Sequence, residues 1–438
     1  MEVQIETPGG LIRQLRVRIP AQQVSTAVDE RLKKLAGRAR IPGFRPGTAP
    51  MKVVQQQFGE SARMDVVQDL VRGSYPEAVD KAGVHPASAP SFEVLAEKLG
   101  EPLEYVARFE VYPEIKLKSL DALKIEKPKV EVTPADVEKL IESLRKSRRT
   151  FKATDRAALD GDVVTVDFEG RLKGEVFQGG KGENTEVEIG TGRFLADLER
   201  SFIGHKAGDV YTQDVKFPED YRAEQLRGQT APFEVRIKDI KEPQLPELDA
   251  EFLKAHGVEE TAGVDGLRTK LKTALEGERD KAVKNKLKQQ AMDQLLERNP
   301  LDVPQGMVAQ EILRLRDETA GRFNAGALKP DQKLKMLPDE MLANSARRRV
   351  SLGLLIGEVL KDKKITLNQD RLSTLLDEMA ADYQQPEQVK QHYRSRPDLM
   401  QGLRAIVLEE QVVEALIASV TPSEKAMSLD ELLNPKQP

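Results

Sequence analysis

The sequence contains no cysteine and no tryptophan, and only four histidines are scattered over its 438 residues. Without cysteine, disulfides, thiolate metal sites and cysteine nucleophiles are excluded. The histidines (His85, His205, His256 and His392) have no metal-ligand spacing, and we therefore predict no metal site. No apolar run approaches the roughly 18 residues of a membrane helix, and the N-terminus MEVQIETPGG lacks the features of a signal peptide. These absences lead us to expect a cytoplasmic protein with no membrane contact.

A nucleotide-binding loop is also missing from the sequence. Gly179-Gly180-Lys181-Gly182 weakly resembles a phosphate loop, but no glycine stands five residues before Gly180, and Gly182 follows the lysine in place of Ser or Thr. We therefore predict no ATPase activity and no cofactor.

The composition is rich in charge and poor in aromatic residues, at 32% and 5% of the chain respectively. This balance favours extended helices with large polar surfaces over one large core, and the length suggests about two to four domains. The net charge of −4 gives no general attraction to nucleic acid. We therefore expect no DNA binding, and any polyanion contact has to be local.

The patterning predicts a multidomain α+β protein. Residues 1–112 alternate as strands around Pro8-Gly9-Gly10, change to helical spacing from about 21 to 37, continue as two further helices, and end as strands near 92–95 and 103–111. Residues 113–150 are expected to form a linker that contains a helix, capped by Thr133 and Asp136. The basic end of that helix, residues 145–149, either complements the helix dipole or forms a polyanion patch.

Two further domains are predicted after the linker. Residues 151–245 are rich in strands, with a turn at Phe177-Gln178-Gly179-Gly180 and one helix from Gly192 to about Ile203. Residues 246–438 are predicted to be almost entirely helical, with dispersed apolar positions that either hold the helices together or meet other chains.

A basic segment, Arg31–Lys52, reverses the acidic character of the chain, because it holds seven cationic residues and no acid. At its centre, Ile41-Pro42-Gly43-Phe44-Arg45-Pro46-Gly47 breaks any helix and imposes a loop. Phe44 beside Arg45 on such a loop suits a polyanion or a mixed RNA and protein surface. The alternative is a helix–loop–helix corner in which Phe44 packs into its own core.

Gly43-Phe44-Arg45-x-Gly47-x-x-Pro50 resembles the ribosome-docking signature of the trigger factor family, and similarity extends in order along nearly the whole chain. One departure is Pro46, where the family commonly has lysine. The resemblance implies an N-terminal ribosome-binding domain, an FKBP-like domain, an all-α C-terminal chaperone domain and an elongated molecule. It further implies docking on the large ribosomal subunit near the exit tunnel, binding of nascent and unfolded polypeptides, and self-association off the ribosome. The implied ribosome-binding residues are Arg38, Arg40, Gly43, Phe44, Arg45 and Gly47.

Residues 151–245 resemble FKBP-type prolyl isomerases through Val166-Asp167-Phe168-Glu169-Gly170, Gly204-His205-Lys206-Ala207-Gly208 and Phe217-Pro218. An isomerase of this kind needs a dry apolar pocket that favours the twisted amide, and no acid, base or metal. The pocket positions implied by the resemblance are Phe168, Phe177, Leu195, Leu198, Tyr221 and Phe233. Taken singly, each of these side chains could equally be a core residue.

The pocket departs from the family at Leu195-Ala196-Asp197-Leu198, where Ile-Pro-Gly-aromatic is common. Leu198 offers no flat face to a proline ring, and Asp197 brings a charge beside it. We therefore expect substrate binding with weak isomerisation. Two rival functions stay open, a free-standing prolyl isomerase and an RNA-binding assembly factor that uses the basic loop.

Overall fold

The computed structural model describes residues 1–38, 42, 44, 48–96, 98, 100–172, 174–322, 328–381 and 383–435. The chain divides into two compact units. The first combines Met1–Lys127 with Asn285–Lys425, and the second combines Pro128–Lys284 with Ala426–Pro438. Each unit therefore joins segments that are distant in sequence. The domain boundaries expected from the sequence stay a prediction.

The strands of the described residues, in chain order, are β1 (Glu2–Gly9), β2 (Ile12–Ile19), β3 (Ser91–Ala96), β4 (Leu103–Glu110), β5 (Glu126–Lys129), β6 (Thr150–Ala153), β7 (Val163–Leu172), β8 (Glu175–Glu188), β9 (Val210–Lys216), β10 (Thr230–Gln244) and β11 (Ser423–Ala426). The helices are α1 (Ala21–Ala36), α2 (Met51–Ala82), α3 (Pro134–Ser147), α4 (Ala196–Ser201), α5 (Ala250–Ala255), α6 (Gly263–Arg298), α7 (Gln305–Arg322), α8 (Pro330–Met336), α9 (Asp339–Asp362), α10 (Gln369–Ala381), α11 (Pro386–Ser395), α12 (Pro397–Ala418) and α13 (Leu429–Leu433).

In the first unit, an antiparallel sheet of order β1-β2-β4-β3 packs on α2. Alternate residues of β4 are buried because one face of the sheet meets the helix while the other meets solvent. The helices α1 and α2 form a hairpin around Val28, Leu32 and Val54. The predicted N-terminal α+β arrangement is confirmed, with one difference at α2.

The two helices expected after the basic loop, at residues 53–58 and 64–71, are one continuous helix of 32 residues, and this helix also runs on through Pro76. Proline removes one helical hydrogen bond and normally ends a helix. Here the buried positions of α2 continue past Pro76 to Ala78, so packing against the sheet maintains the helix. Burial of α2 against the sheet thus outweighs the tendency of Pro76 to end the helix.

The rest of the first unit is helical, and an extended stretch of chain lies in its core. Leu120, Leu123 and Ile125 are buried against α6, α9 and α12. The backbone of this stretch is held by side chains of α6 and by Asn299, which directly follows α6. The pairs are Glu126 with Gln290 (2.8 Å), Lys124 with Gln294 (3.4 Å), Ala122 with Arg298 (2.9 Å) and Lys118 with Asn299 (2.8 Å). Three side-chain amides and one guanidinium thus satisfy backbone groups of this stretch, and β11 pairs with β5 at its end.

The second unit contains a five-stranded sheet, in which β6-β10-β7-β8 are neighbours and β9 pairs with β10. The short helix α4 contributes Leu198 to the core of this sheet, and Phe202, directly after the helix, lies in the same core. The helix α3 begins with the predicted capping box, since Thr133 accepts from the Asp136 N–H and Asp136 accepts from the Thr133 N–H.

Two expectations for the second unit were wrong. The predicted turn at Phe177–Gly180 lies within β8, where it forms a bulge. Glu169 pairs with Lys181 and Arg171 with Val176, so the four residues between Val176 and Lys181 lie opposite Gly170 alone. The predicted helix from Gly192 to Ile203 is shorter, because Gly192 has φ +66° and the helix starts only at Ala196.

Candidate functional sites

The strands β7 and β10 place two of the predicted pocket residues side by side. Antiparallel pairing sets Phe168 opposite Val235, which makes Phe233 a diagonal neighbour on the same face. The Phe168 and Phe233 ring centroids are 6.1 Å apart. This pair is the centre of a larger group of rings.

Four more rings extend from this pair. Phe194 meets Phe168 edge to face at 5.7 Å, and Phe177 meets Phe233 at 5.9 Å. Phe217 lies 5.8 Å from Phe177 and 4.9 Å from Tyr221. We call these six residues, Phe168, Phe177, Phe194, Phe217, Tyr221 and Phe233, the aromatic cluster. Edge-to-face contacts of this kind add stability beyond the area that they bury.

Burial separates the six predicted pocket positions into a base and a rim. Leu198 and Phe233 are 1% and 2% exposed, so they belong to the core. The half-buried rim residues pack against that core and reach the surface; they are Phe168, Phe177, Leu195 and Tyr221. All six predicted residues therefore belong to one hydrophobic core or pack against it. Their roles in catalysis stay a prediction.

The structure shows which groups surround Asp197 and Leu198, the two residues that depart from the family pattern. Asp197 is exposed, and its Oδ2 accepts a hydrogen bond from the Lys216 backbone N–H at 3.3 Å. The carboxylate therefore links α4 to the end of β9. Leu198 fills the base of the aromatic cluster with branched aliphatic surface.

Phe194 is the ring that the sequence analysis missed. It stands directly before Leu195 in the loop that leads into α4, and it packs on Phe168. Its position in the sequence, between Gly192 and the predicted pocket residue Leu195, could have indicated that Phe194 belongs to the same group of rings.

The basic segment lies at the end of the helical hairpin of α1 and α2. Phe44 is 40% exposed, and Arg38 is exposed just after α1. Arg31, in contrast, donates to Asp65 at 2.6 Å, which raises the pKa of its guanidinium, so it is partly neutralised within the hairpin. Four of the predicted docking residues lie outside the described residues: Arg40, Gly43, Arg45 and Gly47.

The second basic cluster, at the end of α3, is largely engaged within its own unit. Arg145 donates to the Pro246 carbonyl at 2.8 Å, and Arg149 pairs with Glu188 while its guanidinium lies 5.5 Å from the Phe151 ring centroid. Lys146 pairs with Glu142 at 3.0 Å. These contacts favour a structural role over a polyanion site.

Neither a metal site nor a membrane span is evident in the described residues. Among them, no group of three or more histidine, aspartate or glutamate side chains could hold a metal ion. None of the helices in that part of the chain is both long and apolar enough to cross a membrane.

Comparison with known families matches three segments of the chain. Residues 1–144 match bacterial trigger factor protein, residues 154–238 match FKBP-type peptidyl-prolyl cis-trans isomerase, and residues 263–418 match the bacterial trigger factor C-terminus. Trigger factor from Thioalkalivibrio sulfidiphilus is 44% identical over 100% of this chain and 99% of the relative. The chain belongs to the trigger factor family.

One further relative is similar to the whole chain. Trigger factor from Stutzerimonas stutzeri is 40% identical, again over 100% of this chain and 99% of the relative. A solved structure titled "Promiscuous Substrate Recognition in Folding and Assembly Activities of the Trigger Factor Chaperone" is 20% identical with a TM-score of 0.49, covering 95% of this chain and 99% of that one.

These matches confirm the main functional prediction. The protein is a chaperone of the trigger factor type with an N-terminal ribosome-binding domain, and its FKBP-type domain makes it a peptidyl-prolyl cis-trans isomerase. The predicted combination of an α+β N-terminal region, an FKBP-like domain and a helical C-terminal region is confirmed as well.

Proposed function

We propose that this chaperone docks on the large ribosomal subunit near the exit tunnel through the loop between α1 and α2, and there shields emerging chains. The observation that supports this most strongly is Phe44. It is a large apolar side chain, 40% exposed on a loop that joins two packed helices, in a segment with seven cations and no acid. An exposed ring beside arginine can stack on an unpaired base, while the cations meet phosphates.

Ribosome co-sedimentation tests the docking loop. Phe44→Ala with Arg45→Ala should abolish association while the melting temperature stays nearly unchanged, because Phe44 is exposed. The matched control is Arg63→Ala with Met64→Ala, which removes another arginine and an exposed apolar neighbour from the same domain, on α2. The control variant should sediment like the parent. Undiminished sedimentation of the loop variant would refute the docking assignment.

The same experiment separates the rival functions. A free-standing isomerase should not sediment with ribosomes at all. A general RNA-binding factor should bind free RNA as tightly as ribosomes, and loss of any one cation should weaken it similarly.

We further propose that the aromatic cluster, with Leu195 and Leu198, holds the Xaa-Pro segment of a substrate. Rotation about the amide faces a barrier of roughly 18–20 kcal/mol, which arises from partial double-bond character. Apolar walls favour the twisted amide because it is less dipolar than the planar form. The half-buried rim over a buried base supplies such walls. Tyr221→Ala should weaken the binding of an Xaa-Pro peptide, which isothermal titration can measure, and unchanged binding would refute the assignment.

Two further aspects follow from the family. We propose that the protein acts in the cytoplasm and self-associates when no ribosome is bound. Sedimentation velocity over a range of concentrations, without ribosomes, tests self-association, since the apparent mass should rise above that of one chain as the concentration rises.

A further inference from the structure

The side chain of Glu199 is buried in the isomerase domain, with 4% of its surface exposed. It lies on α4 directly after Leu198. Its Oε1 accepts hydrogen bonds from the backbone N–H groups of Gly190 and Gly192, the second at 3.2 Å. Its Oε2 is buried without a hydrogen-bond partner among the described residues. A buried carboxylate with one unpartnered oxygen is unfavourable for stability, so its presence calls for an explanation.

The two glycines give the loop a shape that side-chain contacts alone could not hold. Gly190 has φ +94° and Gly192 has φ +66°, a left-handed backbone that turns both N–H groups toward one acceptor. Glu199 supplies that acceptor from the far side of the loop. Without it, two donors would lack their partner.

The first turn of α4 holds the other end of the loop. There the Glu199 backbone N–H donates to the Leu195 carbonyl at 2.9 Å, a bond that any residue except proline can make at position 199. The Glu199 side chain therefore fixes the start of the segment that carries Phe194 and Leu195. Phe194 packs edge to face on Phe168, and Leu195 packs on the core below, so this segment forms one wall of the aromatic cluster.

We propose that Glu199 is a positioning residue for prolyl isomerisation, which acts by holding Phe194 and Leu195 in place through the Gly190 and Gly192 amides. This inference rests on the proposed pocket. For this role the side chain has to be long enough to bring an acceptor oxygen to the Gly190 and Gly192 amides, and its negative charge is not required.

Three substitutions of Glu199 in the full-length protein distinguish the effect of side-chain length from the effect of its charge. Glu199→Gln keeps the length and one acceptor oxygen, Glu199→Asp keeps the charge but is one methylene shorter, and Glu199→Ala removes both. Arg200→Ala is the control, since Arg200 is the exposed next residue of the same helix. We expect kcat/KM for a prolyl peptide to fall about tenfold in the Ala and Asp variants, mainly through KM, and to stay within about threefold of the parent in the Gln and control variants.

Hydrogen–deuterium exchange gives a readout that does not depend on activity. Peptides that cover residues 189–195 should exchange faster in the Ala and Asp variants and normally in the Gln variant, while peptides from β7 stay unchanged. If Glu199→Ala does not fold, the contrast between Gln and Asp carries the test alone. High activity in the Asp variant with low activity in the Gln variant would overturn the inference, because charge would then be the requirement. Faster loop exchange with unchanged kinetics would also overturn it.

Tyr221→Ala in the same assay distinguishes failure of this inference from failure of the pocket assignment. If Tyr221→Ala weakens peptide binding and Glu199→Ala does not, only the role of Glu199 is wrong. If neither substitution changes binding, the pocket lies elsewhere.

Discussion

The Phe233 ring lies against the backbone of Gly170, and a Cβ added at Gly170 would stand 2.6 Å from the ring. Carbon atoms do not approach that closely, so the ring occupies space that only glycine leaves open. Gly182 does the same for Phe168, where an added Cβ would stand 2.5 Å from the ring. Both central rings of the aromatic cluster thus depend on a missing side chain.

Gly170→Ala should displace Phe233 and lower kcat/KM for a prolyl peptide by about tenfold or more, because small misplacements at a binding site are costly. The control is Gly277→Ala, since no atom lies within 4 Å of a Cβ added there. That change in α6 should raise stability by up to about 1 kcal/mol and leave isomerisation unaltered. Full activity in Gly170→Ala would show that the ring position does not limit catalysis.

The pair Asp197→Gly and Leu198→Phe should raise isomerase turnover, because a flat ring would replace the branched base of the pocket. Leu198 is 1% exposed, so the larger ring should also cost about 1–3 kcal/mol of stability through overpacking. Turnover should be measured well below the melting temperature. Leu198→Met, which changes shape with little change of volume, is the control and should leave both quantities nearly as they were. No gain in turnover would mean that the base residue does not limit the pocket.

The imidazole of His256 gives the second unit a sensitivity to acid. Burial, followed by the charges of Arg148 and Lys270, lowers the pKa of His256 in the folded state. The unfolded chain therefore binds a proton more readily, and the free energy of unfolding should fall as pH drops below about 6.5. Urea unfolding at pH 7.5 and 5.5 should show a smaller loss in His256→Gln than in the parent. His392→Gln, at an exposed position of α11, should behave like the parent.

The helical part of the first unit should lose stability when residues 113–127 are removed. Leu120, Leu123 and Ile125 are buried in its core, and truncation of one such leucine typically costs about 2–5 kcal/mol. A fragment of residues 128–438 should therefore unfold at lower urea than one of residues 113–438. Leu123→Ala in the full chain should reproduce part of the difference, and Lys116→Ala should not. Equal urea midpoints for both fragments would show that the extended stretch is dispensable.

Ribosome binding should weaken as salt rises, because exposed charges are screened over about 8–10 Å at physiological ionic strength. Lys33, Lys34 and Arg38 are exposed near the end of α1. Co-sedimentation of Lys33→Gln with Lys34→Gln should show a shallower dependence on salt than the parent. Binding that does not respond to salt would mean that Phe44 acts without the cations.

Local signals in the sequence predicted local structure well. The first hairpin and the capped start of α3 follow from glycine, proline and the Thr133 and Asp136 pair, whose interactions span only a few residues. The prediction was wrong where packing between residues distant in sequence determines the local structure, as in the uninterrupted helix α2 and at the bulge of β8. The six pocket residues could be named only through the family resemblance, and their meeting at one hydrophobic core depends on strand pairing. Glu199 could not be found, because its partners are backbone amides.

The contacts between α6 and the extended stretch match two different repeats. Gln290 and Gln294 are four residues apart, about 6 Å along a helix, and they accept from the backbone N–H groups of Glu126 and Lys124, which are two residues apart, about 6.6 Å along an extended chain. Arg298, four residues further along α6, donates to the carbonyl of Ala122, where the stretch forms a short 3-10 helix over Leu120–Ala122. Side chains four residues apart on α6 therefore meet backbone groups two residues apart on the stretch. An insertion of one residue between Lys124 and Glu126 would prevent these two residues from both keeping their partners on α6, whereas an insertion of two would place a backbone N–H opposite Gln294 again.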